Sequence, residues 1–173
     1  MKRKIFIGFT SIFTHLLFMS IAQGQNHIVV HGHQDPQQIE AMVNHYAKHW
    51  EIDGMTIIVS FTPEMNNALH GWVQYEENQA LQQKNAFIKI NKNIETDKQF
   101  IALAHEMIHV KQYYRGELVA HTDKAFSWKG QSFTNILRLA YTDRAWEEEA
   151  FGLERALYFN FLQHQQENNL ATR

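Results

Sequence analysis

At 173 residues, 45% of them hydrophobic, with two prolines and eight glycines, the chain holds enough apolar material for one compact domain rather than two, or for a disordered tail. It has no cysteine, which excludes a disulfide framework, a thiolate metal site and a cysteine nucleophile. A formal charge of −2 gives no electrostatic case for nucleic acid.

The chain opens on Lys2, Arg3 and Lys4, continues through a mostly apolar run at residues 5–21, and reaches the small-x-small pattern Ala22-Gln23-Gly24. This reads as a secretory signal peptide over residues 1–24. Thr10, Ser11, Thr14, His15 and Ser20 dilute the run, which disfavours a membrane anchor. Cleavage would remove three positive charges and take the formal charge from −2 to −5, since no acidic residue precedes Asp35. The expectation is an exported protein, periplasmic or secreted, with a single domain over residues 25–173 and no stable membrane insertion.

Residues 25–34, with Ile28, Val29 and Val30 flanked by histidines, read as a lead-in or short strand. Pro36 then opens a helix whose Ile39, Met42, Val43, Tyr46 and Trp50 recur at helical spacing. Gly54 ends it, and residues 55–61 alternate as a strand. Residues 70–75 and 86–91 are further strand candidates around a polar connection. Thr96 followed by Gln99 reads as a capping box, starting a helix that runs to Gly116. Residues 125–133 suggest a hairpin centred on Gly130, and residues 141–163 a long amphipathic helix opened by Thr142 or Asp143. The polar tail from Gln165 reads as frayed.

Inside the helix from Thr96 lies His105-Glu106-Met107-Ile108-His109, the pattern H-E-x-x-H. Two imidazoles four residues apart stand about 6 Å apart along a helix axis and on one face, so they can grip one metal ion while the glutamate between them handles a proton. Two histidines leave a hydrolytic site one ligand short. The run Glu147-Glu148-Glu149 at the start of the last helix can supply it, and because successive residues turn by about 100°, only one of the three can face the ion squarely. His45 and His49 share the four-residue spacing without an acid between them, and they read, like His27, His31 and His33, as solvated or packed side chains.

The segment HEMIHV with the later AWEEEAFGLE resembles the gluzincin metallopeptidases, over roughly residues 86–154. The resemblance implies an α+β, zincin-like fold: a small, mostly antiparallel sheet, an active-site helix and a second helix carrying a glutamate ligand. Its E-x-x-A pattern falls on Glu147 and Ala150, so it implies Zn2+ held by His105, His109 and Glu147, with Glu149 and then Glu148 as alternatives. It implies that the strand at residues 86–91 aligns an extended substrate. The chain departs from the family at Phe151, where an acidic or amide residue commonly orients a zinc-bound histidine. No third histidine occurs in the next segment, VKQYYRGEL, which argues against the metzincin branch.

With zinc at these residues, Glu106 is expected to act as general base and then general acid in hydrolysis of a peptide or protein substrate. Tyr141, Arg144 and His121 are candidates for stabilising the oxyanion. Two other readings use the same residues: a zinc-binding, peptidase-like scaffold without turnover, and a zinc amidase of the cell envelope.

Overall fold

Asp35 accepts a hydrogen bond from the Gln38 amide at 3.0 Å, and Pro36 occupies the first turn, so helix α1 (Pro36–His49) begins where its sequence places it. In the computed structural model, which describes residues 24–65, 69–122 and 124–171, α1 comes after strand β1 (His27–His31) and leads into β2 (Met55–Thr62). Then come β3 (Gly71–Asn78), β4 (Gln83–Asn91) and helix α2 (Thr96–Tyr114). Three short strands come next, β5 (Leu118–Ala120), β6 (Phe126–Trp128) and β7 (Gln131–Phe133). Two single 3-10 turns, Ile136–Arg138 and Tyr141–Asp143, precede the last helix, α3 (Ala145–Ala171). The signal peptide read at residues 1–24 lies outside the described residues apart from Gly24. Among the described residues no helix is long and apolar enough to cross a membrane.

The fold is α+β. Its main sheet has the strand order β1-β2-β4-β3, and it is mixed, not mostly antiparallel as expected: β1 with β2 and β2 with β4 are parallel, and only β3 with β4 is antiparallel. The reason is connectivity. Helix α1 carries the chain back to the starting end between β1 and β2, as a crossover must, and the β3–β4 hairpin turns β4 into the slot beside β2. Only the small β5-β6-β7 sheet is antiparallel throughout, its β6–β7 turn made by Lys129 and Gly130, both at positive φ (47° and 84°) as a two-residue hairpin requires.

The consequence for function is which strand is left at the edge. Residues 86–91, expected to align a substrate, belong to β4, whose backbone is paired on both sides. Of the two edge strands, β1 and β3, the one that lies against Glu106 is β3. Asn91 N–H donates to His70 C=O at 2.9 Å, so by antiparallel alternation Trp72 and Gln74 exchange hydrogen bonds with β4 while Gly71, Val73 and Tyr75 turn theirs outward.

One face of the sheet, built from Met55, Ile57, Val59 and Phe61 of β2 and Ala86, Ile88 and Ile90 of β4, is buried with α1 and α2. Two local expectations change. Thr96 lies inside α2, whose cap is Glu95 without a side-chain bond, and Gln99 instead donates to the Lys92 and Ile94 carbonyls at 3.3 and 2.8 Å, bracing the turn from β4. Thr142 and Asp143 form a 3-10 turn before α3, and α3 itself continues to Ala171, into the tail read as frayed.

Leu103, fully buried on α2, holds that helix in the core. Leu103→Ala should destabilise the fold by about 2–5 kcal/mol, read as a lowered midpoint in urea unfolding with an unchanged slope.

Candidate metal centre

Helix α2 crosses the middle of the molecule with every residue from Ala102 to Gln112 buried, so its polar groups there must find partners inside the protein. His105, Glu106 and His109 are all buried. Helix α3 comes against α2 through buried Trp146 and Ala150, the alanine offering almost no bulk, and this brings its first turn and Glu147 down onto the two imidazoles. His105 Nε2 and His109 Nε2 each lie 3.2 Å from Glu147 Oε2 and 3.1 Å from each other.

The outer ring nitrogens are spoken for. His105 Nδ1 meets Glu154 Oε2 at 2.8 Å, and a carboxylate can only accept, so Nδ1 carries the hydrogen and Nε2 presents a lone pair. His109 Nδ1 meets Gln112 Oε1 at 2.8 Å. The orientation of that amide is forced, because its NH2 group donates to Trp146 C=O at 2.9 Å and to Glu149 Oε2 at 2.8 Å, both acceptors. His109 Nδ1 is therefore a donor too, and His109 Nε2 is a second inward lone pair. Three acceptors thus converge on one point.

Such a triangle is repulsive unless a cation or a proton occupies its centre. Donors at about 2.0–2.1 Å around a tetrahedral ion stand roughly 3.3 Å apart, close to the spacing here, so the buried group His105, His109 and Glu147 could hold a metal ion. Where no cation is bound, a proton takes its place and the imidazole that carries it donates to Glu147. Burial works against a charged imidazole at His105, but hydrogen bonds to Glu147 and Glu154 outweigh it and lift its pKa to about 9. Burial would raise Glu147, yet hydrogen bonds from His105 and His109 hold it at about 2. Burial lifts Glu106 to about 7 against the opposing pull of His109 and His105.

Glu106 lies outside the triad, against the edge strand. A Cβ on Gly71 would sit 2.6 Å from Glu106 Oε1, so glycine at that position lets the β3 backbone approach the carboxyl group. A cavity of about 390 Å³ opens on this side, bounded by His105, Glu106, Gly71, Ile101, Tyr141 and Phe151. Tyr141 also points its hydroxyl toward Glu147 and helps lower that carboxylate.

The other sequence candidates separate cleanly. Glu149 is engaged by Lys111 at 3.0 Å, Lys129 at 3.2 Å and Gln112, and Glu148 is exposed, which leaves Glu147 as the carboxylate at the histidines. His121 is exposed and bonded to Ser127 Oγ, away from the triad. His45 bonds Asn160 Oδ1 at 2.8 Å and His33 packs on Phe61; among the described residues no second group of metal-ligating side chains forms. Sequence reasoning missed Gln112 and Glu154. Their signal was spacing, since Gln112 lies three residues beyond His109 and Glu154 two helical turns beyond Glu147, on the same faces. Phe151, where an orienting residue was sought, instead packs its ring 4.8 Å from that of His105.

Comparisons with protein families, with curated proteins and with solved structures find no match for this chain.

Because Glu154 and Gln112 fix which nitrogen of each imidazole faces inward, Glu154→Gln and Gln112→Leu should each weaken metal binding by about 10–100-fold, measured by competition with a chromogenic chelator.

Proposed function

We propose that this chain is an exported zinc metallopeptidase of gluzincin type, hydrolysing peptide bonds with Glu106 as the proton-handling residue. The observation that carries the reading is the convergence of His105 Nε2, His109 Nε2 and Glu147 Oε2 beside a buried carboxyl group that takes no part in the triangle. Two imidazoles and one carboxylate suit Zn2+, with a coordination position left over. Zinc bound there would polarise a carbonyl group and make water acidic near neutral pH.

The chain's own residues supply the rest. An extended peptide adds to the outward-facing edge of β3 at Gly71 and Val73, which presents its backbone to Glu106. Glu106, buried beside the triangle, takes a proton from the attacking water as the C–O bond forms and gives it to the amide nitrogen as the C–N bond breaks. Tyr141, at the lip of the cleft, is the best placed of the three oxyanion candidates, while the position of His121 removes it from that role. Glu154 and Gln112 keep the two imidazoles aligned in the place of the orienting residue that Phe151 does not provide.

The purified chain should bind one zinc and cleave an unfolded protein or peptide library, and a chelator should abolish cleavage until zinc is restored. Glu106→Gln should keep the metal and lower kcat by about 10²–10⁴-fold. Gly71→Val should likewise retain zinc but lower kcat, since its side chain pushes Glu106 aside. Zinc with no cleavage of peptides would favour the scaffold reading, or the amidase reading if cell-envelope amides were cleaved; absence of zinc would sink all three.

A further inference from the structure

Beyond Glu106, on the His109 side, the cleft opens into a second hollow of about 220 Å³, walled by Tyr113, Leu118, Phe126, Ile136 and Trp146. Among the described residues one arginine or lysine lines it, Arg144, the residue just before α3. Among the described residues its buried Nε has no hydrogen-bond partner, and its guanidinium reaches only the Ile136 carbonyl, at 3.5 Å from Nη2. The Tyr141 ring lies 5.2 Å from the guanidinium carbon. Among the described residues no carboxylate comes within salt-bridge distance of it.

The neighbouring charges sharpen the contrast. Lys111 is paired with Glu117 and Glu149, and Lys129 with Glu149. Of the two carboxyl groups that line this hollow, Glu147 is taken up by His105 and His109, and Glu106 is the proton-handling group of the proposed reaction. A guanidinium with a desolvated, unpaired N–H in an aromatic hollow is costly unless an acceptor arrives, and its planar fork matches two oxygens of one group better than any neutral acceptor. We infer that Arg144 receives a carboxylate of the substrate, seated in the hollow beside His109. The inference rests on the peptidase reading and adds to it a class of substrate.

Two sources can provide that carboxylate. The chain runs from the larger cavity at His70, through Gly71, which lines both, into this hollow at Trp72 and Val73 of β3. A peptide lying antiparallel to β3 therefore presents here the residues that precede the scissile bond, and the carboxylate is an Asp or Glu side chain. A peptide lying parallel presents the residues on the C-terminal side of the bond, its terminal carboxylate included.

The test uses hydroxamates, which bind a site zinc without turnover. The zinc-loaded full chain is titrated with N-acetylglutamyl hydroxamate against N-acetylglutaminyl hydroxamate, for a side-chain source. N-hydroxysuccinamic acid against its amide reports a terminal source. The carboxylate member of one pair should bind at least about tenfold tighter, and Arg144→Gln should bring that pair near parity while its amide member binds as before. Arg144→Lys should keep part of the preference, and stands in should the glutamine variant fold poorly. Parity within both pairs in the unaltered protein, or a preference that survives Arg144→Gln, overturns the inference and leaves the zinc reading standing. Failure of all four probes to bind the zinc-loaded chain overturns the inference together with the peptidase reading.

Discussion

Three acceptor atoms brought within 3.2 Å of one another, two from α2 and one from α3, set the terms for everything around them. Left to themselves they repel, so the docking of α3 onto α2 is stable only with positive charge at their centre or with compensation elsewhere. Much of the surrounding structure is that compensation: Ala150 lets the helices close, Trp146 fills the space beside them, and the outer nitrogen of each imidazole is tied to a residue that can only accept there. A metal ion bound at such a point joins the two helices directly, so its binding energy is also folding energy.

The sheet matters to this centre mainly through its edge. Had the four strands run antiparallel in chain order, β4, directly before α2, would have been the outer strand. The α1 crossover and the β3–β4 hairpin instead bury β4 and leave β3 outermost, with Gly71 set against Glu106. A glycine there is a site requirement as much as a strand one, because any larger residue competes with the Glu106 carboxyl group for the same space.

Much of this was legible in residue spacing. The helix around His105 and His109, the alternation of β2 and the rule that only one of Glu147 to Glu149 can face the histidines all stem from periods of 3.6 and 2, which the chain itself sets, while the resemblance singled out Glu147. The features that were not legible depend on partners distant in sequence. Parallel against antiparallel pairing of β2 and β4 is decided by the route of the connections, and nothing in residues 55–61 records it. Gln99 had the spacing of a cap but found two carbonyls at the end of β4 within reach, and tertiary contacts prevailed over the local motif. Glu154, two turns past Glu147, is brought by the helix to the outer nitrogen of His105, whereas Phe151, one turn past, offers that histidine only its ring.

The run Glu147-Glu148-Glu149 shows how helical phase alone turns one residue type into three functions. Glu147 faces the histidines, Glu148 faces solvent, and Glu149, on a third side, neutralises the buried Lys111 and holds the amide of Gln112. The last contact returns to the centre. By accepting from the Gln112 NH2 group, Glu149 turns the amide oxygen toward His109, and that oxygen keeps the hydrogen on Nδ1 and the lone pair on Nε2. A residue that looked like a rival to Glu147 for the metal therefore acts on the same imidazole from behind, and Lys111 and Lys129, by fixing Glu149, tie the β5–β7 region to the geometry of the triangle.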